Sequence, residues 1–244
     1  MLTVNYEIFK INEGDKFLDV GCGEGRHSFE ASSRLNHGGD GGLVCALDLD
    51  NLSLRKTHYV LHYMESQNDG TKNWLVLMGD SLRLPFRDAS FDKIICSEVM
   101  EHVPDPDQGI AEMVRVLKPG GLMAVTVPTY IPEKICWMID EDYYNRPGCH
   151  VRIFTTKKLV AILRRHNLRV YGIRFEHAFH STYWIMRCCF GLMNEKARIP
   201  AMYRKHLLDR QIITRSKFAA GMERIFNFIH PKSIVVYTVK PKAE

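Results

Sequence analysis

The chain is expected to adopt an α/β fold, a largely parallel sheet with helices on both faces. Three observations predict it. Short β-type runs alternate with segments of helical length, the first run ends in a glycine-rich turn that leads into a helix, and a last apolar run closes the chain after a long insertion.

The expected strands are "KFLDV" (16 to 20), "LVCALDL" (43 to 49), "WLVLMGD" (74 to 80), "FDKIICS" (91 to 97) and "GLMAVTVP" (121 to 128). Helical patterns lie between them around 25 to 35, 51 to 67 and 107 to 117. The stretch "TYIPEKICWMIDEDYYNRPGCH" then reads as loop-rich. "TTKKLVAILRRHN" reads as a helix with Thr155 or Thr156 at its N-cap, and "LRVYGIRFE" as a sixth strand. The seventh, "SIVVYTVKPK", follows an insertion of some 57 residues, 176 to 232. There, Phe218, Met222, Ile225, Phe226 and Ile229 fall at i, i+4, i+7, i+8 and i+11, the apolar face of an amphipathic helix. The expected organisation is one domain over 1–244, with 176–232 as a helical insertion.

A length of 244 residues and 45% hydrophobic composition suffice for a real core and argue against disorder. Cys22, Cys45, Cys96, Cys136, Cys149, Cys188 and Cys189 are an odd set with no CxxC pair, and "MLTVNYEIFKINEGDKF" lacks the basic-then-apolar form of a secretory signal. Reduced thiols in a cytoplasmic protein are expected. No run reaches the roughly 18 to 20 apolar residues that span a bilayer; "YWIMRCCFGLM" is short and carries Arg187. The net charge of +5 is uneven: residues 177 to 232 hold ten Lys/Arg against three Asp/Glu, a local +7, which leaves −2 elsewhere.

The turn "DVGCGEG" puts glycines at its first, third and fifth positions, Gly21, Gly23 and Gly25, with Arg26 at the sixth. A dinucleotide fingerprint wants glycines at one, three and six, so a nicotinamide or flavin pyrophosphate is disfavoured. A strand that passes through glycines into a helix still brings backbone N–H groups to the usual ligand position above the sheet. Asp48 ends the second strand, where a carboxylate accepts from both hydroxyls of a ribose. Asp80 ends the third, where a carboxylate accepts from an exocyclic amine such as that of adenine. Together they describe a nucleoside. With no Walker lysine motif, the loop need not face phosphates.

At these residues the chain resembles the class I S-adenosylmethionine-dependent methyltransferases, along 16 to 175 and again at 233 to 240. Five motifs in order carry the resemblance: "LDVGCGEG" (18 to 25), "ALDLD" (46 to 50), "GDSLRLPF" (79 to 86), "FDKIICSEVMEHV" (91 to 103) and "RVLKPGGLMAVTVP" (115 to 128). It implies a Rossmann-like, seven-stranded, mostly parallel sheet in order 3-2-1-4-5-7-6 with the last strand antiparallel, and S-adenosyl-L-methionine as cofactor. By the same resemblance Gly21, Cys22 and Gly23 approach its methionine end, Asp48 the ribose, and Asp80 with Ser81 the adenine. Ser97 and Glu98 would border the sulfonium, and Asp19 and Leu49 complete the implied set. One departure is "NHGGDGG" at 36 to 42, which lengthens the link to the second strand and keeps Asp50, on the same face as Asp48, as the alternative ribose ligand.

Methyl transfer from a sulfonium needs an aligned acceptor and, for a hydroxyl, a base. Histidine titrates nearest neutrality, and eleven are present. His102, in "SEVMEHVPDP", either lines the site or holds a turn. The chain resembles the ubiquinone- and menaquinone-pathway methyltransferases, and this string is similar to the ubiquinone-pathway O-methyltransferases, in which acidic and histidine residues of this segment can bind a divalent metal. Glu98, Glu101 and His102 could do so here, but two carboxylates and an imidazole on one short segment are more often solvated or bonded to backbone, so no metal is assigned. His150 and Arg152, in "CHVRIFT", are a base and an anion partner, or else orient the next helix. Tyr130, in "VPTY", either lines the pocket or packs under the loop. The expected catalytic set is His102, His150 and Tyr130.

The N-terminal lead of about fifteen residues is too short for a helical lid, which leaves the 176–232 insertion, with His177, His180, Tyr183 and Trp184, to exclude water or simply to pack on the sheet edge. Its apolar helix faces and local charge of +7 suit an anionic membrane surface and a small, hydrophobic or lipid-like acceptor, with O-methylation the first expectation. Nucleic acid is disfavoured, since no RNA-binding module appears and the aromatics cluster with aliphatics. A non-catalytic binding module on the same fold is the other class of function.

Overall fold

The fold comes from a computed structural model that describes residues 2–36, 42–145, 148–194, 197–209 and 217–242. Strands β1 (Lys16–Val20), β2 (Leu43–Asp48), β3 (Trp74–Met78), β4 (Phe91–Ser97), β5 (Leu117–Pro128), β6 (Arg169–Glu176) and β7 (Ser233–Val239) form one sheet. Its order is β3-β2-β1-β4-β5-β7-β6, as expected. The pairs among β1 to β5 are parallel, and β7 runs antiparallel between β5 and β6.

Side chains alternate across a strand, so each face has its own core. Leu18 and Val20 of β1 join Cys45, Leu47, Ile94, Cys96 and Val125 on one face, covered by α3 (Pro106–Val116) and α5 (Thr156–Arg165). Phe17 joins Val44, Ile95 and Tyr237 on the other, under α1 (Arg26–Leu35) and the N-terminal lead through Val4, Tyr6 and Phe9. Helix α2 (Asn51–Ser66) links β2 to β3. The lead is thus part of the second core, fastened by Asn5 N donating to Tyr237 Oη at 2.9 Å. Thr155 is the N-cap of α5 and accepts from Lys158 N at 3.2 Å.

Two expectations change. The stretch after β5, expected to be loop-rich, forms α4 (Tyr130–Ile139) and a single 3₁₀ turn over Glu141–Tyr143. Pro132 disguised this helix, yet it lies in the first turn, where no N–H is needed for the ladder. Among the described residues the insertion holds α6 (Ala178–Cys189), α7 (Arg198–Tyr203) running into a π-helical turn over Arg204–Asp209, and α8 (Lys217–Phe226). The apolar stripe of α8 is only partly a core face. Phe226 packs 5.9 Å from the Phe179 ring, but Phe218 is 79% and Ile225 60% exposed, and Ile229 lies beyond the helix end. Cys136 and Tyr143 meet Cys188 and Trp184 in a small third cluster that joins α4 to α6.

All seven cysteines are free. Among the described residues no helix is long and apolar enough to cross a membrane. Most of the "NHGGDGG" link lies outside the described residues.

Candidate active site

The turn after β1 is fixed by backbone bonds. Gly21 N and Cys22 N donate to Leu47 O at 2.7 and 3.0 Å, which pins the loop to the end of β2. Gly21 has φ 68, and a Cβ there would sit 2.3 Å from Val99 Cγ2, so neither backbone nor space accepts a side chain. Gly23 N donates to Asp48 Oδ2 at 2.7 Å, and Asp50 N to Asp48 Oδ1 at 2.9 Å. Each carboxylate oxygen keeps a second lone pair for a ligand hydroxyl. Asp50 is differently placed: it is the N-cap of α2, accepting from Ser53 N at 2.9 Å and Ser53 Oγ at 2.6 Å. Both acids line the space above this loop, Asp48 bound to the glycine loop and Asp50 capping α2.

Above this loop opens a cavity of about 950 Å³, within the range that holds a nucleoside-sized ligand. It is lined by Asp19, Gly21, Cys22, Gly23, Asp48 and Leu49, by Asp80 and Ser81 after β3, and by Ser97, Glu98 and His102 after β4. The structure therefore brings every residue of the implied cofactor set to one cavity at the C-terminal strand ends. Asp19 lies at its base on the α1 side and accepts from Ser28 Oγ at 2.7 Å. Burial pushes its carboxyl up to about 6. Burial, with Asp19 and Asp48 nearby, also pushes the Cys22 thiol far up, so it is no nucleophile. Asp80 Oδ1 accepts from Leu82 N at 2.9 Å, which turns the chain back across the cavity.

Glu98 follows β4 in a left-handed conformation, φ 58. Its N–H donates to Thr126 Oγ1 at 3.1 Å and Thr126 Oγ1 donates back to Glu98 Oε1 at 2.8 Å, while Ser97 Oγ lies 3.0 Å from the same hydroxyl. A non-glycine residue held at positive φ by a closed hydrogen-bond ring is a local strain that the fold maintains.

Behind Glu98 lies a buried polar cluster. His150 Nδ1 is hydrogen-bonded to Glu133 Oε1, and Glu133 Oε2 accepts from Lys232 Nζ at 3.1 Å and Tyr143 Oη at 3.2 Å. Burial alone would raise the Glu133 carboxyl, but the His150 bond and the Lys232 charge override it and hold it down at about 2. Glu101 is fully buried, and neither carboxylate oxygen has a hydrogen-bond partner among the described residues. Burial and the neighbouring Glu98 push its carboxyl well up. His102 Nε2 and His150 Nε2 lie 3.9 and 4.0 Å from Glu101 Oε1, and the two rings are 4.8 Å apart. Glu101, His102 and His150 each offer one ligating atom within 4.8 Å of the others, a set able to hold a divalent ion; Glu98, expected beside them, is not in it.

The expected catalytic residues separate. His102 borders the cavity. His150 is one layer back, against Glu133. Tyr130 is 41% exposed and lines a different cavity of about 460 Å³, with Phe154, Phe175 and Phe228; the structure does not bring it to the glycine loop. Arg152 is no anion partner, since its guanidinium donates to the carbonyls of Met100, Val103 and Pro104 and fastens the segment after β4. Glu133, Tyr143 and Lys232 were missed by sequence reasoning. No spacing signals them, because Lys232 is 99 positions from Glu133.

Fold and cavity define an α/β protein with its ligand site above the C-terminal ends of the central strands. The chain belongs to the methyltransferase-domain family, whose model, described as "Methyltransferase domain", matches residues 11–167. It is 34% identical over 115 residues to a sterol 24-C-methyltransferase of Pneumocystis carinii, covering 47% of this chain and 28% of that one. It is 30% identical over 143 residues to a demethylmenaquinone methyltransferase of Lactobacillus johnsonii, covering 57% and 54%. The chain thus spans less than two thirds of the length of these curated relatives. A SAM-dependent methyltransferase of Methanosarcina mazei shares the fold at TM-score 0.64 and 19% identity, over 99% of this chain and 100% of that one.

Proposed function

We propose that the chain binds S-adenosylmethionine in the glycine-loop cavity and transfers its methyl group to a small, hydrophobic or lipid-like acceptor. The observation that carries this reading is the joint placement of a side-chain-excluding cradle at Gly21, the loop-bound carboxylate of Asp48 and the Asp80–Ser81 turn around one cavity. These groups fit an adenosyl sulfonium: open backbone for the methionine end, Asp48 for the ribose, Asp80 for the adenine amine, and Asp19 for the ammonium. The sulfonium supplies a methyl already activated for in-line displacement. What the chain must add is alignment, exclusion of water and a destination for a proton.

His102 suits the proton. Its Nδ1 lies 3.1 Å from Cys149 O, and a carbonyl can only accept, so Nδ1 carries the hydrogen and the lone pair is on Nε2. Burial, together with His150, lowers its pKa and keeps it neutral. A neutral imidazole on a residue that borders the cavity is the base an acceptor hydroxyl requires, with His150, fixed by Glu133, as its positioning neighbour. This favours oxygen as the methylated atom. The name of the sterol 24-C relative supports carbon as a second reading.

A lipid-like acceptor is also supported by the outer surface. Phe218 and Ile225 of α8, and Phe228 and Ile229 after it, are exposed in the part of the chain with local charge +7, and Ile131 and Met138 of α4 are exposed as well. Apolar side chains beside basic ones suit an anionic membrane interface. In this reading the whole chain acts as one cytoplasmic unit with a peripheral membrane contact, and the 176–232 insertion is the lid over the acceptor.

Calorimetric titration with S-adenosylhomocysteine tests the cofactor, and no binding at millimolar concentration overturns the proposal. Incubation with methyl-¹³C-labelled S-adenosylmethionine and demethylated quinols or sterols then reads the acceptor atom. An O-methyl resonance supports oxygen and a C-methyl resonance the second reading.

A further inference from the structure

At the junction of β6 and α6, His177 adopts a left-handed backbone with φ 67, a conformation that an L-residue with a bulky side chain seldom takes. The junction is stitched to the end of α8: Ala178 N donates to Asn227 Oδ1 at 2.9 Å, and Asn227 Nδ2 to Glu176 Oε2 at 3.4 Å. This brings the first turn of α6 against α8. His177, His180 and Glu223 then each present one potential ligating atom, all within 4.8 Å of one another.

The chemistry of the trio is that of a metal site. His177 Nε2 and His180 Nδ1 are shut from solvent and have no hydrogen-bond partner among the described residues, and Glu223 Oε1 is shut from solvent beside them. A buried imidazole nitrogen without a partner is destabilising, and two side by side are unusual in a folded chain. Burial pushes His177 down to about 3 and His180 down to about 4. Both rings are therefore neutral at physiological pH, and protonation does not compete for their lone pairs. Two neutral imidazoles and a carboxylate are borderline-soft donors that suit zinc and its first-row neighbours better than magnesium or calcium.

We propose that His177, His180 and Glu223 form a binding site for a divalent transition metal of the zinc class, which ties α6 to α8 and holds the insertion in place. Ligand atoms around tetrahedral zinc lie about 3.3 Å apart, so closing the trio on one ion takes side-chain shifts of about 1 Å. Two ligands on one helical turn and a third from the facing helix leave a fourth position for water. This trio is separate from Glu101, His102 and His150 and shares no residue with it.

The test uses the full chain, freed of metal by a chelator and titrated with Zn²⁺ against a competing chromophoric chelator. The expected result is that wild type binds one equivalent more than His180→Gln, that Glu223→Gln weakens the same equivalent at least 10-fold, and that bound zinc raises the melting temperature of wild type but not of His180→Gln. Equal stoichiometry in wild type and both variants overturns the proposal. A second measurement needs no variant: wild type loaded with Cu²⁺ and treated with ascorbate should show oxidised histidine at 177 and 180 by peptide mass spectrometry. Both histidines unmodified would overturn the proposal.

Discussion

Gly23 donates its backbone N–H to Asp48 Oδ2 at 2.7 Å, so the glycine loop after β1 and the acid that ends β2 form one hydrogen-bonded unit. Asp48→Asn puts an amide in that position and removes the charge, and should weaken S-adenosylhomocysteine at least 10-fold, a loss of about 1.5–3 kcal/mol for a hydrogen bond to a charged group. Asp50→Ala, two residues on, removes the α2 cap instead. It should cost about 1 kcal/mol of stability and leave that affinity within about 3-fold. Calorimetry and urea denaturation of the two variants separate the roles; equal losses of affinity would show that Asp50 also holds ligand.

Asp19 has a folded-state pKa of about 6, above the ordinary aspartate value of 3.8, because it is buried. Between those values the folded state holds more proton than the unfolded one, so this residue makes the protein lose stability as pH rises from about 4 to about 6. Ligand affinity should move the opposite way, because protonating Asp19 removes the negative charge that faces a ligand ammonium. Titrations with S-adenosylhomocysteine from pH 7.5 to pH 5 should show affinity falling through about pH 6 in wild type. In Asp19→Asn it should be weak and nearly flat. An unchanged pH profile in the variant would remove Asp19 from the binding site.

Glu133 is the only carboxylate that both His150 and Lys232 contact by hydrogen bond among the described residues. Glu133→Gln leaves the Lys232 ammonium buried without its counter-charge and should destabilise the fold by about 3–5 kcal/mol. Lys232→Met in the same chain should restore part of that loss, since both charges are then gone. His102→Gln should lower turnover about 10²-fold with the melting temperature almost unchanged. Chemical denaturation and single-turnover kinetics check the two effects, and a His102→Gln chain with full turnover would exclude it as the base.

Phe218 and Phe228 are 79% and 85% exposed, so they contribute little to the packed interior. Replacing both with Glu should leave stability within about 0.5 kcal/mol, as for other surface changes. The same change should abolish co-sedimentation with vesicles rich in anionic phospholipid, through lost apolar insertion and added repulsion. Wild type that stays in the supernatant would end the membrane reading.

Much of the architecture was legible because it is encoded locally. The seven strands and the N-cap of α5 at Thr155 rest on alternation, periodicity and a capping hydroxyl, all properties of neighbouring residues. Helix α4 was not legible, since Pro132 and the acidic, aromatic sequence after it look like a loop unless the packing of Cys136 and Tyr143 on Cys188 is known. The stripe on α8 was legible as helical but not as exposed. Periodicity reports that one face is apolar, and only the fold says whether anything covers it.

By itself, then, the sequence determined the order of the strands, the glycine turn and the acids at the ends of β2 and β3, because adjacent residues carry each of these signals. Tertiary structure decided the rest. It committed Asp50 to a helix cap, took Tyr130 to a separate cavity, and fastened Arg152 to three backbone carbonyls. It also built the cluster of His150, Glu133 and Lys232 from three distant segments and set His177 and His180 against Glu223. The reason is physical: desolvation and charge pairing act through space, and the pKa and the partner of a buried group depend on what the fold packs around it.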